Sequence, residues 1–365
     1  MRLIVSAGAT GGGINPALAV LQALANKPEE VLWVGSIGGI ENDLVSRAGV
    51  PFTAIPAAGL HGVGLKVFKN FWQLLRGYFA ARKLIREFNP DVLFFTGGFV
   101  AIPIGLAGRK VPTVLCVPDI EPALALKTLS RFADQIAVPT PDSLAYFPKG
   151  QAVTVAGYPT RPELKVWDQA EAFAQFELSP DKPTLLVTGG SLGALSINRA
   201  MISILPELLG EIQVIHLTGN RTWPEVEAAR EQLPDVLADN YRAYPFLYEA
   251  MGAAFSAADL VVSRAGASVI GELPQYQLPA ILVPYPYAWR YQKINAEYLS
   301  SKNAAVIVRD EDLADQLLPM INSLISDTPK LKEMQSAMGS LATPQAAAQI
   351  AELLVKIASP QGGAQ

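Results

Sequence analysis

Short apolar runs recur along the whole chain, and most of them show no alternation between apolar and polar positions. Unalternating runs of this length are typical of strands that are covered on both faces of a sheet. Segments with helical periodicity, such as residues 16–25 and 68–88, lie between the runs. The pattern predicts an α/β fold with doubly wound parallel sheets. In the first half, the predicted strands are residues 3–7, 31–35, 52–56, 92–95, 113–117 and 135–138.

The second half of the chain repeats this plan. Residues 3–13 and residues 185–193 each read as a strand that runs into a glycine-rich turn before a helix. This internal repeat predicts two Rossmann-like domains. In the second half, the predicted strands are residues 184–188, 213–217, 260–263, 280–283 and 304–308.

The domain boundary is predicted in the turn-rich segment 157–162, which contains two prolines. We therefore expect a first domain over residues 1–157 and a second domain over residues 158–342. A helix over residues 343–358 is expected to pack back towards the first domain. The short tail after this helix is expected to be disordered.

Composition narrows the range of functions. The chain has 365 residues and a formal net charge of −4, which gives no support to nucleic acid as a partner. A single cysteine, Cys116, excludes an internal disulfide, and the two histidines, His61 and His216, show no metal-binding spacing. No apolar run reaches the roughly 18 residues that a membrane-spanning helix needs. We expect a cytoplasmic protein that is soluble or peripherally attached to a membrane.

The two glycine-rich turns, residues 8–13 and 189–193, differ in spacing from the dinucleotide-binding fingerprint. The strands that follow them end at residues 35–36 and 217–219 without the acid that holds a ribose, and neither turn has the Lys-Ser/Thr of an NTPase loop. We therefore predict backbone amides that face an anion, but neither NAD nor ATP. A tight turn without a ligand is the alternative. A third turn, residues 96–100, follows a predicted strand and could line the same cleft.

Residues 260–284 read as a buried strand, a glycine turn, a short helix and a second buried strand. Arg264 ends the first strand, Gly266 is expected to open the helix, and Ser268 and Glu272 lie one turn apart. A cation, a helix N-terminus and a carboxylate at the carboxyl end of a strand suit a phosphorylated sugar or a nucleotide. A structural Arg–Glu pair in an ordinary β-α unit is the alternative.

Two further polar residues lie where a ligand would be held. Arg161 lies in the boundary segment and would add a second cation, unless it is a surface residue of a hinge. His216 lies near the end of a predicted strand, where it could contact a ligand or serve as a buried structural histidine.

The segment 65–86 is basic and aromatic. It contains six Lys and Arg residues and no acidic residue, in a chain that is acidic overall. A helix of this kind suits the interface of an anionic membrane. A core helix with a basic polar face is the alternative. The residues expected to meet the membrane are Phe68, Phe71, Trp72, Leu75, Arg76 and Phe79.

Several motifs together resemble those of the MurG family, glycosyltransferases of peptidoglycan synthesis with the GT-B fold. The resemblance covers nearly the whole chain. The residues that carry it are Gly190-Ser191-Leu192-Gly193-Ala194 with Asn198, Gly157-Tyr158-Pro159-Thr160-Arg161, Arg264-Ala265-Gly266-Ala267-Ser268 with Glu272, and Gln292 with Asn295.

The resemblance implies transfer of N-acetylglucosamine from its UDP derivative to a polyprenyl-diphosphate-linked acceptor, with inversion and without a metal or cofactor. It implies that the enzyme works at the inner face of the cell membrane, with the first domain on the acceptor and membrane side. Ser191 and Arg161 would lie near the diphosphate, Phe246 and Leu247 would flank the uracil, and Glu272 would accept the ribose hydroxyls. Gln292 and Asn295 would contact the sugar. The remaining donor-site residues are Gly190, Gly193, Arg264, Gly266 and Ser268, and the loops expected at the acceptor diphosphate contain Gly11, Gly12, Gly13, Asn15, Gly97 and Gly98.

The chain departs from the family pattern in three places. Gly13 replaces a histidine on the acceptor side, residues 116–119 replace the family's His-Glu-Gln-Asn, and Trp289 replaces an aspartate. Without the histidine, the candidates for the catalytic base are Asp119, Glu121 and His61. Asp119 is preferred, and its alternative role is to cap a helix that begins near Pro122.

These departures leave other functions open. A related transferase with a different lipid acceptor would keep the donor motifs. A UDP-sugar 2-epimerase of the same fold would need neither a lipid nor a basic helix. A relative without catalytic activity that binds a nucleotide sugar would account for the missing histidine.

Overall fold

The computed structural model describes residues 1–7, 11–24, 28–39, 41–58, 65–190, 192–287 and 290–359, without the side chains at 11, 43, 65–69 and 71. The chain forms two compact units, each described here by itself. The first comprises Met1–Arg161 and Thr343–Gln365, and the second comprises Pro162–Ala342. The chain leaves the first unit four residues after the predicted boundary and returns to it for its last helix. The predicted disordered tail lies outside the described residues from position 360 onwards.

In the described part of the first unit, parallel strands form one seven-stranded sheet in the order β3-β2-β1-β4-β5-β6-β7. The strand order reverses between β1 and β4, which pair through Leu3 and Val92. The strands are β1 Arg2–Ser6, β2 Glu30–Ser36, β3 Phe52–Ile55, β4 Val92–Phe95, β5 Thr113–Cys116, β6 Gln135–Val138 and β7 Val153–Val155.

The described part of the second unit holds a six-stranded parallel sheet with the equivalent order, β10-β9-β8-β11-β12-β13. The reversal lies between β8 and β11. The strands are β8 Thr184–Thr188, β9 Gln213–Leu217, β10 Tyr241–Tyr244, β11 Leu260–Ser263, β12 Ala280–Leu282 and β13 Ala305–Ile307. Two doubly wound parallel sheets confirm the fold predicted from the sequence.

Helices occupy the connections between strands. In the first unit they are α1 Gly11–Ala23, α2 Glu41–Arg47, α3 Leu65–Phe88, α4 Ala101–Ala107, α5 Leu124–Leu129 and the 3-10 helix Pro141–Tyr146. In the second unit they are α6 Gln169–Phe176, α7 Leu195–Leu208, α8 Trp223–Glu231, α9 Asp235–Ala238, α10 Met251–Ala257, α11 Val269–Gln275, α12 Tyr291–Ser301, the 3-10 helix Asp310–Asp312, α13 Leu313–Ser326 and α14 Thr328–Gly339. The last helix is α15 Ala346–Ala358.

Each sheet is covered on both faces because its strands are apolar on both sides. One face of the first sheet packs against α1 and α15, with Ile14 and Ile350 fully buried in that cluster. The other face packs against α3, α4 and α5, with Ala81 and Ile104 in its core. The last helix therefore completes the core of the first unit, although the whole second unit precedes it in sequence.

Two strands, β7 and β10, were absent from the sequence prediction. Both lie at an edge of their sheet, and both are only partly buried. β10 includes the charged Arg242, and β7 has no fully buried residue. Short, half-exposed edge strands lack the continuous apolar run on which the prediction relied.

Helix α1 begins at Gly11, whereas the prediction began it at Pro16. Proline inside a helix removes one backbone donor, so the carbonyl of Gly12 loses its partner at position 16. The hydroxyl of Tyr158 donates to that carbonyl over 3.5 Å. Tertiary contact thus permits a helix that starts with three glycines, and the predicted loop 11–13 is its first turn.

A buried polar network fixes the start of α7 against β9. His216 is fully buried, with Nδ1 2.8 Å from the Tyr241 hydroxyl and Nε2 3.0 Å from Asn198 Oδ1. The Asn198 amide nitrogen donates to the carbonyl of Thr218 and the hydroxyl of Thr222. Asn198 Oδ1 must therefore accept from His216 Nε2–H, and the neutral imidazole accepts from Tyr241. Of the two roles considered for His216, the structure shows the structural one.

Burial lowers the pKa of His216 from 6.5 to about 3, so stability should depend on pH through this residue. Below pH 6.5 the unfolded chain binds a proton here that the folded chain does not, and the free energy of unfolding falls. We expect the contribution of His216 to decrease by about 2 kcal/mol between pH 7 and pH 5. Urea unfolding of the wild type and of His216→Gln at both pH values measures it.

The glutamine variant lacks a titrating group, so the stability gap between the two proteins should narrow as the pH falls. A gap of constant size from pH 7 to pH 5 would contradict a neutral, buried His216.

Candidate functional site

In the second unit, a tight glycine turn follows β8. Gly190 and Gly193 have φ values of 78° and 75°, in the left-handed region that favours glycine. The Gly193 amide donates to the carbonyl of Gly190 over 2.9 Å. A Cβ atom on Gly193 would lie 2.1 Å from the carbonyl oxygen of Thr218, so the loops after β8 and β9 meet where neither has room for a side chain. The turn leads into α7, whose N-terminal amides are suited to a phosphate.

Arg264 follows β11 directly and is 9% exposed. Its Nη1 donates to Asp310 Oδ1 and, over 3.1 Å, to the carbonyl of Val283. Its Nη2 donates to Ser196 Oγ over 2.7 Å, and its guanidinium lies 5.2 Å from the ring centroid of Tyr285. The carboxylate that pairs with Arg264 is therefore Asp310, which follows β13. The alternative suggested by the sequence, a structural pair between Arg264 and Glu272, is not the pair that forms.

Gln292 and Asn295, the two amide side chains expected to contact the sugar, form hydrogen bonds to backbone atoms of neighbouring loops. Gln292 Oε1 accepts from the backbone amide of Tyr285 over 2.8 Å. The Asn295 amide nitrogen donates to the carbonyl of Ala265 over 3.1 Å, and this side chain is fully buried. These bonds fix the loops after β12 and β11. Tyr287, whose ring meets that of Tyr285 edge-on, is 84% exposed.

Helix α11 starts later than predicted. It begins at Val269 with Ser268 as the N-cap residue, so Gly266 precedes the helix rather than opening it. Gly266 and Ser268 are partly exposed. Glu272 lies in the first turn with 9% exposure, and its backbone amide donates to the carbonyl of Ser268. Glu272 therefore lies in the first helical turn after the carboxyl end of β11.

The loop between β10 and α10 contains Phe246 and Leu247, both partly exposed. The ring of Phe246 packs against that of Tyr248, with centroids 4.5 Å apart. This loop follows the carboxyl end of an outer strand of the second sheet, the same edge that carries Arg264 and the glycine turn. Most donor-site residues predicted from the sequence thus share one edge of one unit.

In the first unit, the predicted acceptor loops lie together. The hydroxyl of Thr96, at the end of β4, donates to the carbonyl of Gly13 over 2.6 Å and is buried. Gly97 and Gly98 follow with φ values of 134° and 83°. The N-terminus of α1, which includes Asn15, and the turn after β4 therefore meet at the switch point of the first sheet.

Asp119 and Glu121 follow β5, the neighbour of β4, at the same edge. Asp119 is partly exposed and Glu121 is 5% exposed. Helix α5 begins at Leu124 with Ala123 as its N-cap residue, so the alternative role of Asp119 as a helix cap is wrong. Cys116, at the end of β5, is buried, and burial raises its pKa to about 12, so its thiol stays protonated.

The sequence prediction found no acid at the end of the second strand, but the carboxylate of a residue five positions further along the chain reaches it. The carboxylate of Glu41, at the start of α2, accepts from the amide and the hydroxyl of Ser36, both over 2.7 Å. Glu41 is fully buried. The carboxylate therefore holds the β2–α2 connection and is not exposed to a ribose.

Helix α3 presents an exposed face that we call the α3 face: Trp72, Arg76 and Phe79. These residues lie four and three positions apart, so they share one side of the helix. Trp72 is 63% exposed and Phe79 is 58% exposed. Leu75 is only partly exposed, and Gly77 and Ala81 on the other side are buried.

Ser191, His61 and Trp289 lie outside the described residues, as do the side chains of Phe68 and Phe71. Arg161 is partly exposed and is the last residue of the first unit before the chain enters the second. Among the described residues, every helix is too short or too polar to span a bilayer, and no cluster of three or more His, Cys, Asp or Glu side chains could hold a metal ion.

Sequence reasoning missed Ser196, Tyr285 and Asp310, which surround Arg264. The sequence indicated a role for these residues only through their positions: Tyr285 and Asp310 follow predicted strands, and Ser196 follows the glycine turn. Position alone did not show that their side chains converge.

Two family profiles match the chain. Residues 3–138 match the glycosyltransferase family 28 N-terminal domain, and residues 184–353 match the glycosyltransferase family 28 C-terminal domain. The first match covers most of the seven-stranded sheet, and the second covers the six-stranded sheet and most of α15.

Full-length relatives agree with these matches. The chain is 38% identical to a UDP-N-acetylglucosamine--N-acetylmuramyl-(pentapeptide) pyrophosphoryl-undecaprenol N-acetylglucosamine transferase of Desulforamulus reducens, over 98% of this chain and 99% of the relative. It is 35% identical to a protein of the same name from Natranaerobius thermophilus, over 97% and 99%.

Solved structures include the MurG of Acinetobacter baumannii, with a TM-score of 0.78, 26% identity and coverage of 97% of this chain and 99% of that one. The UDP-GlcNAc 2-epimerase of Neisseria meningitidis, with a TM-score of 0.66 and 13% identity over 98% of this chain and all of that one, shares the fold alone. The chain is a glycosyltransferase with the GT-B fold, and it belongs to the MurG family.

Proposed function

We propose that this protein transfers N-acetylglucosamine from UDP-N-acetylglucosamine to a muramyl-pentapeptide carried on a polyprenyl diphosphate, with inversion at the anomeric carbon. The observation that carries the proposal is full-length similarity to relatives whose names state this transfer. The clustering of the donor-site residues at one sheet edge supports it. The proposal includes no metal ion or cofactor.

On the donor side, the departing diphosphate carries the charge that the protein must stabilise. The amides of the glycine turn after β8, the start of α7 and the guanidinium of Arg264 supply fixed positive potential there. Glu272 accepts hydrogen bonds from the ribose hydroxyls, and Phe246 and Leu247 pack against the uracil. Gln292 and Asn295 hold the loops on which the sugar rests and offer their remaining polar atoms to it.

On the acceptor side, a base must remove the proton of the attacking hydroxyl. Gly13 has no side chain for this purpose, and its carbonyl is engaged by Thr96. Asp119 lies at the same edge and is more exposed than Glu121. We therefore propose that Asp119 is the catalytic base. The turn at Gly97 and Gly98 then binds the acceptor diphosphate.

Replacing Glu272 with Gln should weaken UDP binding about tenfold or more, because a charged acceptor for the ribose hydroxyls is lost. Titration calorimetry with UDP and with 2′,3′-dideoxy-UDP measures both affinities. The wild type should prefer UDP, and the variant should lose most of that preference. Glu297→Gln, an exposed glutamate on α12, is the control.

An unchanged preference for UDP over the dideoxy analogue in Glu272→Gln would contradict the proposal that Glu272 binds the ribose hydroxyls.

Replacing Asp119 with Asn should lower kcat by about 10²- to 10⁴-fold, the usual contribution of a general base, with the Kd for UDP unchanged. Initial rates of UDP release with the muramyl-pentapeptide lipid measure the effect. Glu121→Gln is the matched control, because it changes the neighbouring carboxylate. A large loss in the control with normal rates in Asp119→Asn would assign the base to Glu121 instead.

We further propose that the α3 face docks the enzyme on the cytoplasmic surface of the cell membrane. Large apolar side chains beside a cation suit an anionic lipid interface. Replacing Trp72 and Phe79 together with Ser should reduce binding to vesicles at least about tenfold, because two apolar side chains no longer enter the interface. Sedimentation with vesicles of phosphatidylglycerol and phosphatidylcholine measures it.

Arg76→Gln should weaken binding to these vesicles and leave binding to pure phosphatidylcholine unchanged. Val236→Ser, on the second unit where Val236 is 80% exposed, is the control for loss of an exposed apolar side chain. Equal losses in the control and in the double variant would contradict docking through α3.

The acceptor is tested by measuring UDP release from UDP-N-acetylglucosamine with a panel of lipids, including the muramyl-pentapeptide lipid and simple glycolipid precursors. Release with the muramyl lipid alone supports the proposal. UDP release with another lipid would show that the protein uses a different acceptor. Formation of a sugar-nucleotide isomer without any lipid would show that the protein is an epimerase. Binding of the nucleotide sugar without formation of either product would show that the protein binds the nucleotide sugar but does not catalyse a reaction.

A further inference from the structure

We infer that Asp310 is a positioning residue for the donor diphosphate, acting through Arg264 and Ser196. This inference rests on the proposed function, since it concerns the same donor. The observation is a compact group of three side chains from three separate parts of the second unit. We call Arg264, Asp310 and Ser196 the clamp.

The clamp is closed on itself. Asp310 Oδ1 accepts from Arg264 Nη1 and, over 2.7 Å, from the hydroxyl of Ser196. Ser196 Oγ in turn accepts from Arg264 Nη2 over 2.7 Å. Each member therefore contacts the other two. Removing one member takes one hydrogen-bond partner from each of the other two.

The clamp joins the strand ends to the phosphate-binding turn. Arg264 follows β11 and also donates to the carbonyl of Val283, just after β12. Asp310 follows β13, and Ser196 is the second residue of α7, directly after the glycine turn. The start of α7 is thus tied to three neighbouring strands through one guanidinium.

Because Arg264 is buried, its charge needs the carboxylate of Asp310 as a partner. The Arg264 side chain is 10% exposed and that of Asp310 is 20% exposed. A buried guanidinium without a carboxylate is costly, so loss of Asp310 would release Arg264 towards solvent. The ring of Tyr285 covers the guanidinium and restricts its movement on that side.

The contacts within the clamp engage Nη1 and Nη2, at the end of the guanidinium. Arginine can bind one acceptor through this end and a second through its Nε–Nη2 edge, because its five donors form a rigid fork. Asp310 and Ser196 set the orientation of the fork. The side edge then approaches a phosphate in a fixed direction, at the turn that supplies the backbone amides.

The test compares UDP with uridine, which has the same base and ribose but no phosphate. In Asp310→Ala, we expect the Kd for UDP to rise about tenfold, because the charge-assisted contacts of Arg264 are no longer aligned. The Kd for uridine, measured by displacement of a fluorescent UDP analogue, should stay unchanged. Asp310→Asn should lose less, because it keeps an acceptor for Ser196 and Arg264.

Asp312→Ala is the matched control. Asp312 lies two residues along the same 3-10 helix, and it pairs with the exposed Arg309 rather than with Arg264. Ser196→Ala should raise the Kd for UDP less than Asp310→Ala. The double variant Asp310→Ala/Ser196→Ala should lose less than the sum of the two single changes, because the residues act as one unit.

Equal losses of UDP and uridine affinity in Asp310→Ala would overturn the inference, since they would indicate general disruption of the unit. Tighter UDP binding would also overturn it, because Asp310 would then compete with the diphosphate for Arg264. So would UDP binding equal to that of the wild type. Failure of the wild type itself to bind UDP would instead contradict the proposed function.

Discussion

The positions of most candidate residues for the donor and the acceptor depend on the parallel pairing of buried strands around the point where strand order reverses. In each unit the central strand, β1 or β8, pairs with a partner on each side, and its neighbours are reached by crossovers in opposite directions. The carboxyl ends of all these strands meet at one edge, and the loops diverge at the switch point. Residues far apart in sequence, such as Ser196 and Asp310, become neighbours for this reason.

In the second unit, several polar side chains at this edge hold loops in place. Gln292 and Asn295 bond to backbone atoms of the loops after β12 and β11, and the Asn198 amide nitrogen donates directly to the carbonyl of Thr218 in the loop after β9. Buried polar groups need partners, so the scaffold satisfies them internally. The proposed donor site therefore combines backbone amides with a few side chains on loops that are held by hydrogen bonds.

The first unit reaches the same architecture with different local chemistry. Three glycines form the start of α1, and Pro16 interrupts its backbone bonds, a sequence that does not favour a helix by itself. The hydroxyls of Tyr158 and Thr96 bond to the carbonyls of Gly12 and Gly13. These tertiary contacts explain why local propensity misplaced the start of this helix.

The sequence by itself determined the fold class, the buried strands and the residues at the strand ends, because apolar runs and glycine turns are local signals of a covered parallel sheet. Its motifs also indicated the family. Only the tertiary structure decided which side chains meet: that Asp310 rather than Glu272 pairs with Arg264, and that the Ser196 hydroxyl bonds to Asp310. These contacts join residues separated by long stretches of chain. A pattern read along the chain does not contain them, because they arise only when the strands pair.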